Sequence, residues 1–480
     1  MRRLAFVSTL CSLSLLAISA CKPDDGTQDQ GDGDASSTDD PETVGGDGDP
    51  GDGDPGDAPR PNWHEDIAVL VTENCVGRHQ AGGIAPFSMQ TYEETAPWSA
   101  VMADACEART MPPWHAATTA VCQPVFPYEG DPSLSDAQIE MLREWADLGA
   151  PEGDPADAAP LPAPPDLDLA NPSVTVVMGS PVEVEAEGST LDFFHCLSFD
   201  PGNDQDVYVD GLQVVQGNSS ILHHVLMYLD TSAESASWPG GVKQDCGGGS
   251  GLSGSAQLVA AWVPGSAPLE PPEGVSVTLP AGARIVYNVH YHATGAGVET
   301  DDGTGLALRW SDQPSTYQSL FVLIGAPGIG IPLTGLLHVP PGESGHVEEF
   351  EWPVEYNGQS IPDWLDVRLW TAANHMHKVG VDMRVWIEHG DGSEDCLVHT
   401  PNWDFNWQRF YKYDVPIEQG LKIQAGDVVH VRCEYDNTLD NPAVVEALAE
   451  VGLENPVDVF VGEGTLDEMC LTALGVGYSF

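Results

Sequence analysis

The chain has 480 residues, 41% of them hydrophobic, and its length allows about two to four domains with buried cores. Its 17 Lys+Arg stand against 74 Asp+Glu, a formal charge of -57. That balance excludes nucleic acid as a partner, because phosphates must be met by cations.

The first residues, MRRLAFVSTLCSLSLLAISAC, place Arg2 and Arg3 ahead of an apolar stretch too short to span a bilayer. Ile18-Ser19-Ala20-Cys21 resembles a bacterial lipobox. The resemblance implies cleavage after residue 20, lipidation of Cys21, and an exported protein anchored to the outer membrane or cell surface. Export permits disulfides. No later stretch is long and apolar enough to cross a membrane as a helix. Residues 21–59 form an acidic tether with almost no large apolar side chain, a composition that cannot offset its ordering entropy.

Residues 60–155 read as a small, mostly helical domain. In 133–150, Ile139, Leu142, Trp145 and Leu148 recur at helical spacing, with Ser135 and Asp136 at the start and Gly149 at the end. ENCVGRHQAGGIAPFSM (73–89) approaches the C-x-x-C-H attachment of c-type haem but keeps only Cys75 and His79. With Met111 of ARTMPPWHA as a second axial ligand, the module resembles the cytochrome-c-like units ahead of some bacterial monooxygenases. Arg78 stands where the second thioether should form. The reading is therefore a degenerate, haem-free module, set against a haem c on Cys75, His79 and Met111.

A Pro- and Ala-rich linker covers 156–169. Beyond it, short Val-, Thr-, Tyr- and Trp-rich runs separated by Gly, Pro, Asn and Asp predict a mainly β protein. The expected architecture is two antiparallel, jelly-roll-like β-sandwiches, 170–315 and 316–480. The composition shift predicts that this pair folds on its own.

Histidine pairs fall on those strands. TAANHMHKVGVDMRVWI (371–387) carries His375 and His377 two apart, on one face of a strand. Two imidazoles on one face suit one metal ion, with further ligands to be supplied from elsewhere. SSILHHVLMYLD (219–230) has adjacent His223 and His224, which face opposite ways unless the strand twists or ends there. RIVYNVHYHATG (284–295) has His290 and His292, and FVGEGTLDEMCLTA (460–473) has Met469.

Taken in order, HHVLMY, VHYH, HMHKVG and DEMC resemble the copper type II, ascorbate-dependent monooxygenases, whose members hydroxylate peptidylglycine or dopamine. The resemblance spans roughly residues 170–480. It implies an electron-relay copper on His223, His224 and His290, with His290 favoured over His292. It implies a second copper, where substrate is hydroxylated with O2, on His375, His377 and Met469. Imidazoles suit both copper oxidation states, and a thioether favours the reduced one. The resemblance also implies the disulfides Cys196–Cys246 and Cys433–Cys470, the latter beside Met469. Cys106–Cys122 reads as a local bridge, leaving Cys75 and Cys396 over.

The peptidylglycine hydroxylases carry an Arg two residues before His-x-His and a Tyr four after the Met. Here those positions are Ala373 and Ala473, which leaves the small-molecule substrate open. The reductant would be ascorbate or a redox protein. Trp403, Phe405 and Trp407 of PNWDFNWQRFYKY (401–413) read as one strand face, packed in a sandwich core in preference to a substrate pocket. Two other readings remain: a non-catalytic copper-binding or electron-transfer lipoprotein, and an adhesive sandwich protein with structural histidines.

Overall fold

The computed structural model describes residues 60–81, 85–164, 168–186, 188, 190–254, 256–264, 266–325, 337–356 and 359–480. The stretches read as a signal peptide and an acidic tether, with Cys21, lie outside the described residues.

The protein is mainly β. Its helical part holds α1 (Ala68–Asn74), α2 (Tyr92–Thr95), α3 (Ser99–Glu107) and α4 (Asp136–Asp147). Ser135 starts α4 with a capping box. Its hydroxyl accepts from the Gln138 N–H, and the Gln138 side chain accepts from the Ser135 N–H. Leu142 and Trp145 are fully buried and Ile139 packs beside them, whereas Leu148, past the last helical turn, is exposed. These side chains meet Trp63, Ile67, Leu70 and Val71 in a small core.

The first sandwich contains β1 (Val174–Val177), β2 (Val182–Val184), β3 (Asp192–Phe199), β4 (Val207–Val215), β5 (Leu222–Asp230), β6 (Val242–Lys243), β7 (Gln257–Trp262), β8 (Val275–Leu279), β9 (Arg284–His292), β10 (Glu299–Asp301) and β11 (Gly305–Ser311). The second contains β12 (Tyr317–Ile324), β13 (His338–Val339), β14 (Ser344–Pro353), β15 (Glu355–Tyr356), β16 (Gln359–Ser360), β17 (Asp366–His375), β18 (Gly380–Glu388), β19 (Glu394–Thr400), β20 (Tyr411–Lys412), β21 (Leu421–Ile423), β22 (Val428–Asp436), β23 (Val459–Phe460) and β24 (Leu471–Ser479). A further helix, α5 (Pro442–Glu450), follows β22.

One nine-stranded sheet runs through both sandwiches in the order β1-β11-β4-β8-β12-β24-β17-β20, with β21 also on β17. The sheet β6-β3-β9-β5-β7 covers its first half and β14-β22-β18-β19 its second. The halves join where β12 pairs with β8, the one parallel ladder among the described strands. A buried seam lies across that joint. Tyr228, Leu258 and Val286 come from the first half, and Tyr317, Phe321, Trp370 and Ala473 from the second.

The disulfides Cys196–Cys246 and Cys433–Cys470 are present. Cys106–Cys122 is not. Cys122 pairs with Cys396, and Cys75 and Cys106 are free. Cys106 is buried in the helical core, while Cys122 lies on an extended segment that runs along the second sandwich. There Val125 N–H donates to Cys396 O, the Tyr128 hydroxyl to Leu397 O, and Tyr128 stacks on Tyr413. Trp114, Phe126 and Tyr128 thus cover the second core. Part of the segment assigned to the helical module, 60–155, therefore packs on the second sandwich.

The bridge spans a sequence separation of 274, so Cys396→Ser should cost about 2–4 kcal/mol. Chemical denaturation measures this, and an unchanged midpoint would contradict the pairing.

Candidate metal centre

His223, His224 and His290 converge. β5 and β9 are antiparallel with His224 opposite His290, and the register slips between Leu222 and His224. His223 is the extra residue of that bulge, and a bulge re-aims a side chain. Two neighbours on one strand therefore reach one point. The Nδ1 atoms of His223 and His224 lie 3.1 Å apart, those of His290 and His224 3.4 Å. One ligand atom from each of the three falls within 4.8 Å of the others. Burial, and then the neighbouring imidazoles, push both His223 and His224 well below the usual histidine range. Neutral imidazole nitrogens crowded in this way repel one another, and a shared cation relieves them. The donor set therefore fits a bound transition metal.

Asp192 on β3 fixes the third ring. His290 donates from Nε2 to Asp192 Oδ1 at 2.8 Å, leaving Nδ1 for the cluster. His292 donates from Nδ1 to the same oxygen at 2.8 Å, so it braces Asp192 while His290 faces the cluster. The other carboxylate oxygen accepts from the N–H and hydroxyl of Thr465, in the second sandwich. Burial raises the Asp192 carboxyl, but the hydrogen bonds from His290, His292 and Thr465 outweigh it and hold the group far below the ordinary range.

His375 ends β17, and His377 lies just past it in the turn to β18. Their rings stand 5.1 Å apart and nearly perpendicular. His375 meets Gln408 Oε1 through Nδ1, and His377 donates from Nδ1 to Asp467 O, so both leave Nε2 for a ligand role. Burial lowers His375 to about 4 and His377 to about 3, so both are neutral at physiological pH. Met469 is buried and borders the same cavity as both histidines. The carboxyl of Glu468, fully buried, accepts backbone N–H groups from His377, Val379 and Met469. It ties the His-x-His turn to the methionine. Cys433–Cys470 and the Tyr435 hydroxyl, which donates to Met469 O, hold that loop from the other side.

The two donor sets are neighbours, with the His224 and His375 rings 6.4 Å apart. Phe405 stacks on His223 at 5.0 Å and meets His377 edge-on at 5.7 Å. The strand expected for 403–407 is a 3-10 turn, Phe405–Trp407, started by the Asp404 side chain. Trp403 packs against the core and donates from Nε1 to His377 O. Phe405 instead enters the site, and Gln408, Arg409 and Phe410 line the cavity. That cavity is walled by Phe194, Val225, Leu226, Trp262, Leu323 and Leu471. Ala373 and Ala473, partners across β17 and β24, lie on it too.

In the helical module, Cys75 and Met111 pack on the core. The Cys75 thiol is pushed up to about 12 by burial and by Cys106. His79 bonds through Nδ1 to Phe87 O and its ring lies 4.7 Å from that of Phe87.

No protein-family model matches the chain, and no curated protein matches it. Among solved structures, the major capsid protein P2 of bacteriophage PM2 is similar over 60% of this chain and 97% of its own, at 8% identity and a TM-score of 0.24. The cowpea mosaic virus top component is similar over 63% of this chain and 91% of its own, at 8% identity and a TM-score of 0.26. Scores this low bear on nothing this chain does.

Asp192→Ala should weaken copper at the three-histidine site about 10- to 100-fold and leave the other site's affinity unchanged. Competitive copper titration reads this, and equal affinities in mutant and parent would remove Asp192 from the site.

Proposed function

We propose that the chain is an exported, lipid-anchored copper monooxygenase that hydroxylates a C–H bond of a small substrate. O2, two electrons from an external reductant and two protons convert the C–H bond to the alcohol and release water. The observation that carries this reading is the placement of two donor sets side by side. His223, His224 and His290 form one, and His375, His377 and Met469 border an apolar cavity beside it.

Copper bound at both sets would supply one-electron redox chemistry and the activation of O2. The residues suit that task in separate ways. Neutral imidazoles are ready to ligate without first losing a proton. The Met469 thioether favours the reduced ion. The apolar walls limit water around the reacting bond. Asp192 supplies negative charge one ring away from the first set. The alternative, non-catalytic copper carriage by the same ligands, is separated by oxygen uptake with reductant.

Three disulfides suit an oxidising compartment. We take the helical module to be haem-free, because Cys75 is committed to core packing and Arg78 replaces the second thiol.

Purified protein should hold two copper ions per chain. Met469→Ile should abolish reductant-driven oxygen uptake while the three-histidine site keeps its copper. Zinc at full occupancy, or undiminished uptake in the variant, would sink the reading. Cys21→Ser should move the protein from the membrane to the soluble fraction. Fractionation in which the parent is already soluble after export would refute the anchor.

A further inference from the structure

The cavity beside His375, His377 and Met469 lies between two walls of different origin. One wall is the sheet face made by β17, β24 and β12. Ala373 stands opposite Ala473, Ala473 opposite Leu323, and His375 opposite Leu471. All of these line the cavity. Residues i and i+2 share one face of a strand, so Ala373 lies about 7 Å along β17 from His375. The other wall comes from the first sandwich, through Phe194, Leu226 and Trp262. Two alanines facing each other across a ladder thus leave a floor without bulk next to the histidine, and large apolar side chains close the opposite side.

Polar side chains at the cavity are engaged in holding the protein together. The Asn288 amide donates to Gly247 O and Gly249 O. Gln408 meets His375 and donates to Phe405 O. Asn374, between Ala373 and His375, donates to Met383 O and to the Thr400 hydroxyl. Arg409 has its guanidinium 5.1 Å from the Trp114 ring centre. Glu463 also lines a polar space with Asp192, Lys378 and Glu446. The apolar cavity measures about 130 Å³. An engineered apolar cavity of about 150 Å³ takes benzene, so one ring, or a short chain of that bulk, fits here. An ionised group carried between such walls gives up hydration that apolar side chains do not replace.

We propose that this cavity binds an uncharged, hydrocarbon-like molecule about one ring in size, and that Ala373 and Ala473 set its place beside His375. The proposal names the substrate class of the monooxygenase reading and rests on that reading for the reaction. Its binding step needs no metal. The two alanines act as specificity-determining positions, because a larger side chain at either one fills the floor on which the ring lies.

The test is calorimetric titration of the purified full chain without added metal, with toluene, benzoate and benzylammonium as probes. Toluene should bind, and each charged probe should displace it at least about 10-fold less well than unlabelled toluene competes. The benzylammonium arm is the stringent one, because a chain of formal charge -57 attracts cations in general. Ala473→Leu and Ala373→Leu should each weaken toluene about 10-fold or more. A second apolar hollow, lined by Leu320, Trp352, Ile361 and Phe480 in the second sandwich, shows why both variants are needed. Toluene held there would bind both variants as it binds the parent. Should the Leu variants fail to fold, the comparison of the three probes on the parent still decides. No toluene binding, displacement by either charged probe as effective as by toluene itself, or unchanged binding in both folded variants overturns the proposal. Copper stoichiometry in the same preparation, measured after loading, reports separately on the monooxygenase reading.

Discussion

The short parallel pairing of β8 with β12 is the constraint from which the site follows. It matches Tyr317 with Val275 and Gln318 with Ser276 and turns two sandwiches into one continuous sheet. The seam of Tyr228, Phe321, Trp370 and their neighbours is then buried as a core of its own. Apolar area removed from water at such a seam opposes any hinge between the halves. The consequence is a ring contact, His224 to His375, between donor sets that belong to different sandwiches. Asp192 and Thr465 close the same joint by hydrogen bonds, so the carboxylate that orients His290 also reads the position of the second half.

Burial acts on His223, His224, His375 and His377 in one direction. It keeps the imidazoles neutral, and a neutral imidazole is the form that ligates. The acids near the site are arranged so that they leave those nitrogens free. Asp192 meets the far side of the His290 ring, and Glu468 meets backbone N–H groups. Each stands one hydrogen bond behind a ligand, where it fixes orientation without occupying a coordination position. The Cys433–Cys470 bridge adds a covalent restraint next to Met469. A thioether on a flexible chain would otherwise have to give up its rotamer freedom at the moment of binding.

Much of this was legible in the chain. The lone helical period with its Ser135 cap, the switch to short strands, and the His-x-His and His-His pairs all mark local features that depend on near neighbours. What was left open or missed depended on distant ones. Period-two reasoning sends His223 and His224 to opposite faces, and only the slip against β9 brings them together. Cys122 was matched to the nearest cysteine along the chain, but its partner lies on β19, reached because residues 114–129 cross to the second sandwich. Asp192 and Glu468 carried no motif, since a carboxylate that acts through one hydrogen bond has no required spacing.

The 401–410 segment shows how strongly one misread turn weighs on function. Alternating aromatics suggested a strand, yet Asp404 and Asn406 are turn residues, and the Asp404 side chain accepts from the Asn406 N–H. That turn rotates Phe405 out of the pattern and into the space between His223 and His377. Four residues later along the same loop, Arg409 and Phe410 line the cavity, with Phe410 seated edge-on against Phe321 of the seam. One irregular loop thus touches both donor sets, the cavity and the joint between sandwiches. The ring contacts that link the two sets pass through His224–His375 directly and through His223–Phe405–His377 beside it. A strand in this place would have pointed alternate side chains into a core and left the second route without its connecting ring.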